Sequence, residues 1–153
     1  MLRSITAAIL LSACASAQGD ATPEPGDAGS TALAAPTPAG VAAKATAAND
    51  GQSMTVKVGG KLAVELVGTP TAGFMWVASE IPPFLQPSGE YGGPTSSAQL
   101  QPGFAGGNHW EGFVFDVTAA GEGVLKFEQR PAFAPEEPDP NGSRFSVTVI
   151  AEE

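Results

Sequence analysis

The chain has 153 residues, which accommodates one domain and leaves no room for two of ordinary size. Its formal net charge is −9 and its 7 basic residues form no stripe, so nucleic acid is excluded as a partner and the acidic surface reads as a solubility feature. The single cysteine, Cys14, rules out an intrachain disulfide, and with His109 the only histidine the mature domain can build neither a Cys–His nucleophile pair nor a zinc site of ordinary ligand type.

The N-terminus runs from Met1-Leu2-Arg3 through the apolar stretch Ser4–Leu11 to Ser12-Ala13-Cys14. A positive start, a short apolar run and small residues are the parts of an export signal, here assigned to residues 1–14. The run is far shorter than the roughly 20 residues that a spanning helix needs. Leu11-Ser12-Ala13-Cys14 resembles the lipobox of bacterial lipoproteins, which implies that Cys14 carries lipid and becomes the mature N-terminus. Two other readings stand beside it: ordinary cleavage after Ala15-Ser16-Ala17, and a chance cysteine inside a signal peptide. The expected location is the bacterial cell envelope, as a periplasm-facing or surface lipoprotein. The alternative is a soluble periplasmic or secreted protein. Membrane contact is expected only through the N-terminal lipid.

Residues 15–51 are rich in Ala, Pro, Gly and Thr and contain no aromatic residue. Such a segment buries too little apolar surface to offset its ordering entropy, so a disordered linker is expected there. It serves either as a spacing tether or as a plain tail. Both Trp, the Tyr and all eight Phe lie from Phe74 onward, which places the core in residues 52–153.

From Gln52 the pattern becomes one of short alternating strands. Met54–Val58 is followed by Gly59-Gly60, a two-residue hairpin signal, and then by Lys61–Val67 with Leu62, Val64 and Leu66 on one face. Phe74–Ala78 is the next strand, with Trp76 and Phe74 read as core. Phe113–Val117, Val124–Glu128 and Arg144–Val149 complete the set, and Asn141-Gly142 marks the last turn. Thr118–Gly123 is a turn, since its glycines break any helix. The fold class expected is therefore all-β, an antiparallel sandwich or barrel.

Three loops have unusual compositions: Thr69-Pro70-Thr71-Ala72-Gly73-Phe74 before Trp76, Gly103-Phe104-Ala105-Gly106-Gly107, and Arg130-Pro131-Ala132-Phe133. Their order and spacing resemble the chagasin family of cysteine-protease inhibitors over roughly residues 52–151. That family's loops read Asn-Pro-Thr-Thr-Gly-aromatic-x-Trp, Gly-x-Gly-Gly and Arg-Pro-Trp. This chain has Thr69 for Asn, Ala72 for Thr, Phe104 for the first Gly of the second loop and Ala132 for Trp, with Phe133 next to it.

The resemblance implies an immunoglobulin-like β-sandwich whose loops form a wedge. It implies a reversible, non-covalent inhibitor that blocks the active-site cleft of papain-like cysteine proteases. The protease-binding residues carried over are Thr69, Pro70, Thr71, Ala72, Gly73, Phe74, Gly106, Gly107, Arg130, Pro131 and Phe133. Pro70 presets its backbone angle, while Gly73, Gly106 and Gly107 permit close backbone approach. Arg130 offers a planar donor fork and Phe133 a rigid aromatic contact. Purely structural readings compete at several positions: Gly73 as a turn glycine, Arg130 as a solvated strand end, Pro131 as a strand stop.

No catalytic residue, cofactor or metal is expected. A Ser-His-Asp triad would have to use His109, which has no nucleophile motif near it. The acidic run Glu136–Pro140 lacks calcium-loop spacing and reads as a solvated loop. The expected partner is a papain-like cysteine protease, and the chain is expected to be a monomer. The alternative is a non-inhibitory envelope lipoprotein that uses the same sandwich as a binding module.

The lipobox reading predicts that mass spectrometry of the mature N-terminus finds a lipid-modified Cys14. An unmodified chain beginning at Gln18 would exclude it.

Overall fold

The computed structural model describes residues 30–153. The signal segment, Cys14 and the first half of the expected linker lie outside the described residues. Eight strands form two sheets of four, packed face to face: β1 (Ala43–Thr46), β2 (Gln52–Lys57), β3 (Lys61–Gly68), β4 (Phe74–Glu80), β5 (Leu85–Pro94), β6 (His109–Val117), β7 (Gly121–Pro131) and β8 (Arg144–Glu152). One sheet has the order β1-β3-β6-β5 and the other β2-β8-β7-β4. This is the expected all-β sandwich. Its central pairings are antiparallel, whereas the edge strands β1 and β2 run parallel to β3 and β8.

Alternation along the strands builds the core. Leu62, Val64 and Leu66 of β3, beside Phe115 and Val117 of β6, face Leu125 and Phe127 of β7 and Phe145, Val147 and Val149 of β8 in the opposite sheet. Phe127 is central. Its ring centroid lies 4.7 Å from that of Phe113, 6.3 Å from that of Phe115 and 6.4 Å from that of Phe145. Trp76 is buried, as expected, and its indole N–H donates to the Val67 carbonyl at 3.0 Å. Phe74 is only half-buried.

Two expectations change. Gly59-Gly60 is not a hairpin turn, because β2 pairs with β8 and β3 pairs with β1 and β6. The chain crosses there from one sheet to the other. Gly59 takes a φ of 81° and the Gly59 and Val117 amides bind the Val117 and Gly60 carbonyls at 2.8 and 3.0 Å. A glycine pair specifies a sharp bend, and the strand partners decide which sheets it joins.

The folded unit also begins earlier than residue 52. Residues 31–42 form a strap over the outer face of the first sheet, and β1 adds to that sheet's edge. The Leu33 amide donates to the Thr95 carbonyl at 2.8 Å, and Trp110 Nε1 donates to the Leu33 carbonyl at 2.8 Å. At the far end of the sheet the Ala42 amide binds the Lys61 carbonyl at 3.0 Å.

The strap is fixed by Glu65, which points outward from β3 yet is only 4% exposed. Tyr91 reaches from β5 across Gly112 of β6 and donates its hydroxyl to Glu65 Oε1 at 2.6 Å. A Cβ on Gly112 would stand 2.4 Å from the Tyr91 ring, so only glycine leaves space for that crossing. Thr37 of the strap donates to the same oxygen, and Lys44 Nζ lies 3.5 Å from Glu65 Oε2. Burial pushes the Glu65 carboxyl up, but the hydrogen bonds from Thr37 and Tyr91 and the Lys44 charge outweigh it and hold it below its usual range. Burial and the neighbouring carboxylate raise the Tyr91 hydroxyl.

A carboxyl depressed by folding stabilises the fold above its ordinary value of 4.5 and loses that contribution as pH falls through the depressed value. Tyr91→Phe is therefore expected to cost about 1.5–3 kcal/mol in urea unfolding at neutral pH. With Glu65 less depressed, the variant should lose less stability than the wild type as pH falls below 4.5, so that the gap between the two narrows in acid. An unchanged acid limb would rule out the Tyr91–Glu65 coupling.

Candidate functional site: three loops at one end of the sandwich

At one end of the sandwich, three connections come together. The first, Thr69–Gly73, joins β3 to β4 and is a single 3-10 turn over Pro70–Ala72. Pro70 starts that turn, and Gly73 ends it in the left-handed region at φ 82°. The Ala72 and Gly73 amides bind the Thr69 and Pro70 carbonyls at 2.8 and 2.9 Å. Pro70, Thr71 and Ala72 are exposed.

The other two loops flank the first and are bonded to it. Thr71 Oγ1 donates to the Gly107 carbonyl at 3.3 Å. The Ala132 amide donates to the Gly73 carbonyl at 2.8 Å. The structure thus brings Thr69–Phe74, Gly106, Gly107, Pro131 and Phe133 to one end. Gly106 and Gly107 adopt φ of 89° and 95°. Phe133 is 89% exposed, the most open large apolar side chain among the described residues.

Arg130 is at this end but does not point outward. Its side chain is 15% exposed, with Nη1 donating to the Pro135 carbonyl at 2.9 Å and Nη2 lying 3.2 Å from Glu128 Oε2. The guanidinium shapes the third loop from within instead of offering a free donor fork. His109 opens β6 opposite Gly68, and its Nδ1 is buried without a partner. Among the described residues no group of three or more His, Cys, Asp and Glu side chains gathers as a metal site would require.

Two positioning residues were not singled out from the sequence. Glu111 of β6 lies between the sheets and accepts from the Trp76 amide at 2.8 Å, which ties the outgoing strand of the first loop to the opposite sheet. A Cβ on Gly68 would stand 1.7 Å from Glu111 Oε1, so Gly68 makes room for the carboxyl. That oxygen is buried without a partner. Burial pushes the Glu111 carboxyl up and Glu90 adds to this, while the Trp76 amide and His109 pull it down; the net shift is upward. The signal in the sequence is phase, since Glu111 falls on the inward register of Phe113 and Phe115.

Gln99 supports the second loop. Its Oε1 accepts from the Thr95 and Ser96 amides at 2.6 and 3.0 Å, and its Nε2 donates to the Asn108 carbonyl at 2.7 Å. Ser96-x-x-Gln99 is a capping-box spacing, which is the signal that would have found it.

The family model described as Chagasin family peptidase inhibitor I42 matches residues 55–149. Comparison with curated proteins gives no match. Among solved structures, the cysteine protease inhibitor EhICP2 from Entamoeba histolytica is similar with a TM-score of 0.57 at 12% identity, covering 72% of this chain and 96% of that one. Amebosin gives 0.49 at 23% identity over 72% and 97% of the two chains. PbICP-C, solved in complex with falcipain-2, gives 0.44 at 15% identity over 71% and 98%. The first of these similarities supports the sandwich fold.

A carboxyl raised by folding destabilises once it ionises: its contribution is fully present below the ordinary 4.5 and is lost as pH rises through the raised value. Glu111→Gln keeps an acceptor for the Trp76 amide and removes the buried charge. The variant is expected to be more stable than the wild type at neutral pH, with the difference shrinking toward pH 4.5. A difference that does not change with pH would contradict a titrating Glu111.

Proposed function

The chain belongs to the chagasin family of peptidase inhibitors, and from that membership we propose that it is a reversible, non-covalent inhibitor of papain-like cysteine proteases. The loops Thr69–Phe74, Gly103–Gly107 and Arg130–Phe133 enter the cleft together as a wedge.

The observation that carries this reading is the bonding of the first loop to both neighbours, through Thr71 to Gly107 and through Gly73 to Ala132. A surface built from a proline-started turn and cross-bonded loops loses little freedom when it docks. The leading element is the 3-10 turn at Pro70–Ala72, whose exposed Thr71 and Ala72 approach the reactive cysteine and occupy the space of a substrate. Gly106 and Gly107 let the second loop lie close along the enzyme, and Phe133 supplies an apolar contact on the other flank. Arg130 contributes by keeping the third loop in shape. Inhibition of this kind needs shape and hydrogen-bonding groups, and no proton transfer or bond formation.

The proposed setting is the cell envelope, reached through the export signal at residues 1–14, with lipid at Cys14 holding the inhibitor to a membrane surface.

The purified chain is expected to inhibit papain-like proteases competitively. Gly73→Trp places a bulky group on the central loop where no neighbouring atom lies within 4 Å. Its folding cost is the left-handed backbone strain of about 1–2 kcal/mol. Inhibition should drop by far more than stability does. No inhibition of any papain-like enzyme at high micromolar chain concentration would refute the reading.

A further inference from the structure

The second loop carries large apolar side chains that the fold leaves open. Leu100, at the end of the 3-10 turn Ser97–Leu100, is 64% exposed, and Phe104 is 46% exposed. Phe104 stands where the Gly-x-Gly-Gly pattern has its first glycine, so this apolar group is an addition of this chain.

One edge of the ring lies beside Gly107, where an added Cβ would stand 3.3 Å from Phe104 Cε1 and 2.8 Å from Gln99 Nε2. The Phe104 amide binds the Gln101 carbonyl at 3.2 Å. The turn beneath is fastened to the strap, with the Thr31 amide on Ser97 Oγ at 2.9 Å and the Ser97 amide on the Thr31 carbonyl at 2.8 Å. Through Thr71 and Gly107 the same loop is bonded to the central one. An exposed aromatic group, carried on a loop that is bonded in place before docking and continuous with a contact surface, has the properties of an interface anchor.

We propose that Phe104 and Leu100 form a specificity surface on the flank of the loop cluster. It docks into an apolar recess beside the active-site cleft of the target protease and selects enzymes that have such a recess over those with a polar or filled wall. The proposal rests on the inhibitor reading above. Gln99 and the strap act as positioning elements for this surface.

The test titrates the purified wild-type chain, Phe104→Ala, Phe104→Leu and Leu100→Ala against a panel of papain-like cysteine proteases, with thermal midpoints measured in parallel. Phe104→Ala is expected to raise the inhibition constant about thirtyfold against the best-inhibited enzyme. It should have little effect against the worst, so that the spread across the panel narrows. Leu100→Ala should shift the constants in the same direction by a smaller factor, and Phe104→Leu should retain most of the affinity. The four midpoints are expected to agree closely, since both side chains are exposed. Constants for Phe104→Ala and Leu100→Ala equal to the wild type overturn this proposal and leave the inhibitor reading standing. A uniform loss across the panel overturns the claim of selectivity. A wild-type chain that inhibits no panel member overturns both.

Discussion

Glu65 sits on the outer face of β3 and is bound at once by Thr37, Tyr91 and Lys44. Three separate stretches of chain converge on one carboxylate: the strap, the edge strand β5 and the edge strand β1. A buried charge is tolerated only when its lone pairs are met, and breaking one partner leaves the others exposed to the same penalty. The group therefore acts as a joint. It gives the first sheet a second covered face, which is why β3 is buried on both sides although its sequence alternates. It also holds the strap whose beginning supports the turn under the second loop.

The loops inherit their positions from this arrangement by short routes. β3 ends at Gly68, just before Thr69, and β6 begins after Gly107, so both loops spring from neighbouring strands of the doubly covered sheet. The third loop comes from β7 in the other sheet and is brought in by the Ala132 amide. Glu111 closes the remaining gap by reaching from β6 to the Trp76 amide across the sandwich. Position at the site comes from backbone amides and a few internal polar side chains. Apart from Phe104 and Phe133, the exposed residues of the three loops are mostly small, Ala72, Ala105 and Ala132 among them.

The sequence made six strands plain, the edge strands β2 and β4 among them, and hid the edge strands β1 and β5. β2, β3, β4, β6, β7 and β8 were each visible as alternation, because one face of each meets a large apolar core. β1 was hidden because Ala43 and Ala45 carry the pattern with methyl groups, which composition reads as linker. β5 was hidden because Leu85–Pro94 contains two prolines and three glycines; as an edge strand it tolerates a missing donor, and its register shifts between Pro87 and Gly89. The three loops were legible from their order alone. Their cross-bonds were not, since the contacts between Thr71 and Gly107 and between Gly73 and Ala132 join residues far apart in the chain. The inward turn of Arg130 was equally invisible, because it depends on where the third loop returns the Pro135 carbonyl.

The strap has one more consequence, which concerns the direction in which the domain faces. Thr31 lies against Ser97, beside the loop cluster, whereas Glu152 pairs with Lys57 at the opposite end. The chain thus enters the folded unit next to the three loops and leaves it at the opposite end. A bead, a fluorophore or a fused domain attached behind Glu152 keeps clear of the loops. The same attachment placed just ahead of Thr31 shares their side of the molecule and shades them. The sandwich has a front and a rear, and the choice of terminus decides which of them is offered to the surroundings.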